Sequence, residues 1–184
     1  MRYRLTRIGC AAALVLAVSS AAHPAPAAAP EAARESADSA ADSAPDSAAA
    51  AANPIVGTWK LNVAKSTFTP GPGWRSQVRT YRATPGGASV SWTGVGASGD
   101  TMHVSYDYTY DGKDYPMVGS ANYDTLNAVP VDALTVKSEE KRDGKVVGIA
   151  MRKVSADGKV LTITDEGTNR KGEKFSQVLV FDRQ

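Results

Sequence analysis

Gly144, Gly158 and Gly172 stand 14 residues apart, and the first two follow Asp143 and Asp157. Asp-Gly favours a tight type I′ turn, in which both central residues need positive φ and the flanking strands are antiparallel. A 14-residue interval leaves strands of about eight to ten residues and no length for crossover helices. Asp111-Gly112 and Pro85-Gly86-Gly87 repeat the turn signal upstream. From Ile55 onward, short runs rich in Val, Thr, Tyr and Phe alternate with such turns, and helical periodicity is absent. The chain is a run of hairpins.

This pattern predicts strands over 55–62, 76–83, 88–94, 101–110, 114–119, 121–128, 131–141, 145–154, 159–166 and 173–182. The fold class that follows is all-β, an antiparallel up-and-down meander of 8–10 strands closed into a β-barrel. Closure removes the unpaired edges that template aggregation. A two-sheet sandwich is the rival, but its Greek-key crossings need longer connections than these turns supply. Pro116 and Pro130 cannot donate to a ladder and belong at strand starts, edges or breaks.

Alternation sorts the faces. On 101–110, Met102, Val104, Tyr106, Tyr108 and Tyr110 share one face, and Thr101, His103, Ser105, Asp107 and Thr109 share the other. Only 27 of the 132 residues from Asn53 onward are Val, Ile, Leu or Phe, which is lean for a core. A barrel with a partly open interior needs no more than that, and neither does a small barrel filled by Tyr, Thr and Met.

The segments before residue 53 carry no fold signal. Arg2, Arg4 and Arg7 precede the short apolar run Ile8–Val18, and small residues follow, so 1–22 reads as a secretory signal peptide. The expected location is periplasmic or secreted, with no stable membrane insertion after cleavage, since the run is shorter than the ~20 residues a span needs. Residues 23–52 are an Ala/Ser/Asp/Pro-rich stretch without aromatic or β-branched residues, and read as a disordered linker to a domain at 53–184. Cys10 precedes the apolar run and is the only cysteine, so the domain has no disulfide, thiol nucleophile or thiolate metal site. Its 17 Lys/Arg against 14 Asp/Glu are too balanced to argue for nucleic acid.

Val56-Gly57-Thr58-Trp59-Lys60-Leu61 opens the domain, and Gly-x-Trp on a first strand resembles the opening motif of the calycin superfamily, the lipocalins and fatty-acid-binding proteins. With the following meander and the closing Val180-Phe181-Asp182-Arg183-Gln184, the whole of 53–184 resembles a bacterial secreted lipocalin-like domain. The resemblance implies that Gly57 and Trp59 close one end of the barrel, with the Trp59 ring covered by an arginine. Arg183 is the first candidate for that arginine and Arg152 the second, both structural. It also implies an apolar ligand in the lumen. Departures limit what is carried over. Lys113-Asp114-Tyr115 only approximates the Thr-Asp-Tyr of lipocalins. Asn62–Trp74, broken by Pro70-Gly71-Pro72-Gly73, is too short for the helix pair of fatty-acid-binding proteins, and their carboxylate-binding Arg-x-Tyr is missing.

No constellation announces catalysis. Successive same-face residues lie ~6.6–7 Å apart along a strand, so His103 and Asp107 are ~13 Å apart and cannot form a relay with Ser105. His103 has no companion at metal-ligand spacing, the Asp-Gly-Lys repeats lack the ligand pattern of a calcium loop, and no cofactor motif occurs. Glu139-Glu140 before Lys141-Arg142 reads as a solvated strand end, its two carboxylates on opposite faces. The candidate ligand-facing row is Met102, Tyr106, Tyr108 and Tyr110 with Trp92, since aromatics offer large apolar area and tyrosine a polar handle. Phe68 and Trp74 stand on a Gly/Pro loop placed at the barrel mouth. Two functions lead: a binder of a small apolar or amphipathic molecule, and a filled-barrel interaction module of the cell envelope; a third, an isomerase- or hydrolase-type enzyme, has no constellation behind it.

Overall fold

The computed structural model describes residues 53–184; the expected leader and linker lie outside them. The strands are β1 (Gly57–Leu61), β2 (Thr67–Thr69), β3 (Ser76–Thr84), β4 (Gly87–Val95), β5 (Thr101–Thr109), β6 (Tyr115–Pro116), β7 (Thr125–Leu126), β8 (Val129–Asp132), β9 (Thr135–Arg142), β10 (Lys145–Val154), β11 (Val160–Thr168) and β12 (Lys174–Arg183). One 3-10 turn, Val63–Lys65, is capped by the Asn62 side chain, which accepts from the Lys65 amide. The strands join in the order β5-β4-β3-β1-β12-β11-β10-β9-β7-β6, all antiparallel, with β2 added along β12 and β8 along β9. Chain neighbours are sheet neighbours, and the last strand returns to the first. This is an all-β up-and-down meander. Its two free ends meet where Ser105 on β5 and Val118 after β6 exchange backbone hydrogen bonds of 3.0 and 2.9 Å, an isolated bridge that leaves the barrel nearly closed.

Period-two burial follows from that closure, since one face of every strand turns inward. Val104, Tyr106 and Tyr108 of β5 are buried, and so are Leu161 and Ile163 of β11 and Leu179 and Phe181 of β12. His103, Ser105 and Asp107 face solvent, and His103 Nδ1 is 2.9 Å from Thr93 Oγ1.

Local chemistry redraws several expected boundaries. The strand expected at 131–141 is broken between β8 and β9, because Asp132 Oδ1 accepts from the Leu134 amide at 2.8 Å and turns the chain. The strands expected at 114–119 and 121–128 shrink to β6 and β7, since Ser120 Oγ caps the amides of Asn122 and Tyr123 and competes with the ladder. Of the Asp-Gly turns, only Asp143-Gly144 has positive φ at both residues (52° and 72°). At Asp111 and Asp157 the carboxylate instead accepts from the Lys two residues on, at 3.0 and 3.1 Å, which builds a longer Asx-type turn.

Candidate functional site: the barrel lumen

At one end of the barrel Trp59 and Arg183 pin the start of β1 to the end of β12. Trp59 is fully buried, its Nε1 donating to Ile55 O at 2.8 Å, and the Arg183 guanidinium lies 4.1 Å from its ring centroid. Arg183 also donates to the carbonyls of Val56 and Pro54 at 2.7 and 2.6 Å. A Cβ on Gly57 would lie 2.5 Å from Arg183 Nη1, so the Arg fits only over a glycine. Arg152, the second candidate for this place, is elsewhere: its rung on β10 points into the lumen.

Farther along the lumen lies a cavity of about 360 Å³. One part of its wall is apolar. Trp92 comes from β4 and Met102 from β5, with Met117 from the closing seam and Ile163 from β11. At the mouth, Phe68 stands on β2 rather than on the Gly/Pro loop, Trp74 stands on the loop that follows, both pack against the core, and the Trp74 and Trp92 rings meet edge to face at 5.6 Å.

The rest of the wall is charged. Arg79 on β3 is the cross-strand partner of Trp92, which places its guanidinium 5.0 Å from that ring and 5.5 Å from Phe181. Its Nε donates to Gln77 Oε1 at 3.0 Å. On the other side, β10 carries only small residues at two inward rungs. Gly148 pairs with Glu140 of β9, and Ala150 pairs with Asp165 of β11. Over these small residues the carboxyls of Glu140 and Asp165 reach toward each other, and Arg152 comes up from the next inward rung. Arg152 Nη2 is 3.7 Å from Glu140 Oε1, and its Nη1 donates to Ser138 Oγ. Gln177 Nε2 donates to Asp165 Oδ2 at 2.7 Å. Four oxygen or nitrogen atoms of this cavity wall are buried without a partner among the described residues: Tyr123 Oη, Glu140 Oε2, Asp165 Oδ1 and Arg152 Nε.

Burial dominates the electrostatics. It pushes the Glu140 carboxyl up to about 8, with Asp165 adding repulsion, and Arg152 at 3.7 Å is too distant to reverse the shift. Asp165 is raised by the same burial. The hydroxyls of Tyr106 and Tyr123 are also pushed up by burial, so both remain neutral donors.

The aromatic row splits. Trp92, Met102 and Tyr106 line this cavity. Tyr110 lines a separate cavity of about 660 Å³ at the Trp59 end, beside Ile55, Leu134 and Val154. Tyr108 lies between the two, fully packed, stacked on Tyr106 and edge-on to Tyr110. Eight residues of strand cover ~27 Å, more than one small ligand can span, so the row cannot face a single site. The solvated reading of Glu140 is also overturned: it is 5% exposed and points inward, while Glu139 points out.

Sequence reasoning missed Arg79, Glu140, Arg152 and Asp165 as a group. A signal existed in phase: Asp165 continues the Leu161, Ile163 face, and Arg152 stands between Ala150 and Val154. Among the described residues, no set of three or more His, Cys, Asp or Glu is arranged to hold a metal ion, and no helix is long and apolar enough to cross a membrane.

No family model matches this chain, and no curated protein matches it. Among solved structures it is similar to the crystal structure of zebrafish ileal bile acid-binding protein complexed with cholic acid. The identity is 10% and the TM-score 0.42, covering 71% of this chain and 99% of that one. At that distance the likeness carries nothing about ligand or activity.

Proposed function

We propose that this protein is an exported binder that holds a small amphipathic molecule in its barrel lumen. The observation that carries this reading is the cavity of about 360 Å³, within the ~300–1,000 Å³ range of ligand sites, with an aromatic and methionine wall facing a buried polar wall. A packed lumen with its polar atoms satisfied would have argued for a filled structural module. Four partnerless polar atoms beside an open volume instead favour an occupant that supplies partners. The apolar part would rest on Trp92, Met102 and Met117, gaining ~25 cal/mol for each Å² buried. Phe68 and Trp74 pack inward and cover the mouth, which suits a lid better than an outward partner seat. Export rests on the sequence of residues 1–22.

Native mass spectrometry of protein purified from its own cell envelope, followed by organic extraction, should release a bound small molecule. N-terminal sequencing of the same sample should begin near Ala22. Protein that is ligand-free and also fails to take up N-phenyl-1-naphthylamine, a neutral apolar fluorophore, overturns the binding reading.

A further inference from the structure

Resting on that reading, we infer that the occupant is an anionic amphiphile whose charged group seats against Arg79 and whose binding requires a proton on Glu140.

Arg79 is the unanswered cation of the lumen. It is 8% exposed, and its guanidinium is fixed between the Trp92 and Phe181 rings with Nε held by Gln77. Among the described residues no carboxylate lies within ion-pair distance of it, and its two Nη nitrogens make no hydrogen bond. A guanidinium offers five donors in a planar fork, and leaving such a charge buried without an anion is costly. The fork matches a carboxylate or sulfonate. Because the rings already hold it, little side-chain entropy is lost when an anion docks. Arg152, by contrast, has the Glu140 carboxyl 3.7 Å away and donates to Ser138 Oγ, and Asp165 is the carboxylate left to balance it.

Charge balance then assigns the proton. The groups facing Glu140 are Tyr123 from the segment between β6 and β7, Arg152 from β10, Asp165 from β11, Arg79 from β3 and Tyr106 from β5. An anionic ligand beside ionised Glu140 and Asp165 would set three negative charges against two guanidiniums. With Glu140 protonated, Asp165 and the ligand balance Arg79 and Arg152. Burial already holds the Glu140 proton up to about pH 8, so the balanced set exists at neutral pH. A cationic ligand would leave Arg79 facing a like charge, and a neutral one would leave it unanswered.

The test uses the full chain and two probes of one skeleton, 1-anilinonaphthalene-8-sulfonate and the neutral N-phenyl-1-naphthylamine, titrated by fluorescence. At pH 7 the sulfonate should bind at least tenfold tighter than the neutral probe. Arg79→Gln should remove that preference, the sulfonate losing at least tenfold relative to the neutral probe measured in the same variant, and Arg79→Lys should restore part of it. From pH 7 to pH 9 the wild-type affinity for the sulfonate should fall about tenfold, as expected for loss of one required proton near pH 8. Glu140→Gln should bind the sulfonate with no such fall. Failure of both probes to bind overturns the ligand reading together with this inference. Equal binding of the two probes, a preference that survives Arg79→Gln, or a pH profile unchanged by Glu140→Gln overturns the inference and leaves the reading standing. Should Arg79→Gln fail to bind the neutral probe, Arg79→Lys decides by keeping or losing the sulfonate preference.

Discussion

The Arg183 guanidinium lies 4.1 Å over the Trp59 ring and donates to the carbonyls of Pro54 and Val56. One side chain from the end of β12 thereby fixes the start of β1, the two strands where the meander returns on itself. The contact combines a cation–π term of about 1 kcal/mol with charge-assisted hydrogen bonds of about 1.5–3 kcal/mol.

Arg183→Ala should therefore cost about 2.5–4 kcal/mol of unfolding free energy in urea denaturation, the sum of those contributions. Neutral-probe affinity should hold within about twofold, because none of these residues lines the cavity of about 360 Å³. A loss under 0.5 kcal/mol would show that the contact is incidental.

Gly148→Ala tests the crowding over β10. The added Cβ would stand 2.9 Å from Tyr123 Oη and 3.1 Å from Glu140 Oε2. Overpacking of this kind costs about 1–3 kcal/mol. The double variant Gly148→Ala/Tyr123→Phe removes the nearer atom and should recover part of the loss. Additive losses in the double variant would mean that the hydroxyl is not the obstacle.

Glu140 also makes stability depend on pH. Its carboxyl titrates near 4.5 when unfolded and near 8 when folded, so the folded state holds a proton that the unfolded state releases. That contribution is complete below pH 4.5 and is lost as pH rises toward 8. Asp111, Asp132 and Asp157, held down mainly by hydrogen bonds, act in the opposite sense only at more acid pH. Wild type should melt several degrees lower at pH 8 than at pH 5, whereas Glu140→Gln should show a flatter profile in scanning calorimetry. Parallel profiles would place the proton elsewhere.

The mouth gives a kinetic prediction. Trp74 meets Trp92 edge to face and lines the cavity. Trp74→Ala should speed release of the neutral probe about tenfold in stopped-flow measurements, with a melting change of a few degrees at most. An unchanged release rate would place the exit route at another part of the wall.

Glycines 144, 158 and 172 in the amino-acid sequence, with the alternation on β5, were enough to determine a meander of antiparallel strands. The resemblance carried by Gly57, Trp59 and Arg183 pointed to its two ends, and the exposed row of His103, Ser105 and Asp107 followed from period two alone. These are local properties: turn chemistry and alternation act over a few residues. What only the tertiary structure decided is the content of the lumen. Glu139 and Glu140 are chemically equivalent in sequence, and a one-residue change of phase exchanges inside for outside. The phase of β9 was hidden because Asp132 breaks the strand expected at 131–141. The meeting of Arg79, Glu140, Arg152 and Asp165 depends on four strands far apart in sequence being rolled into one ring, with Gly148 and Ala150 making room between them. Pairing register sets those neighbours, and no local pattern encodes it.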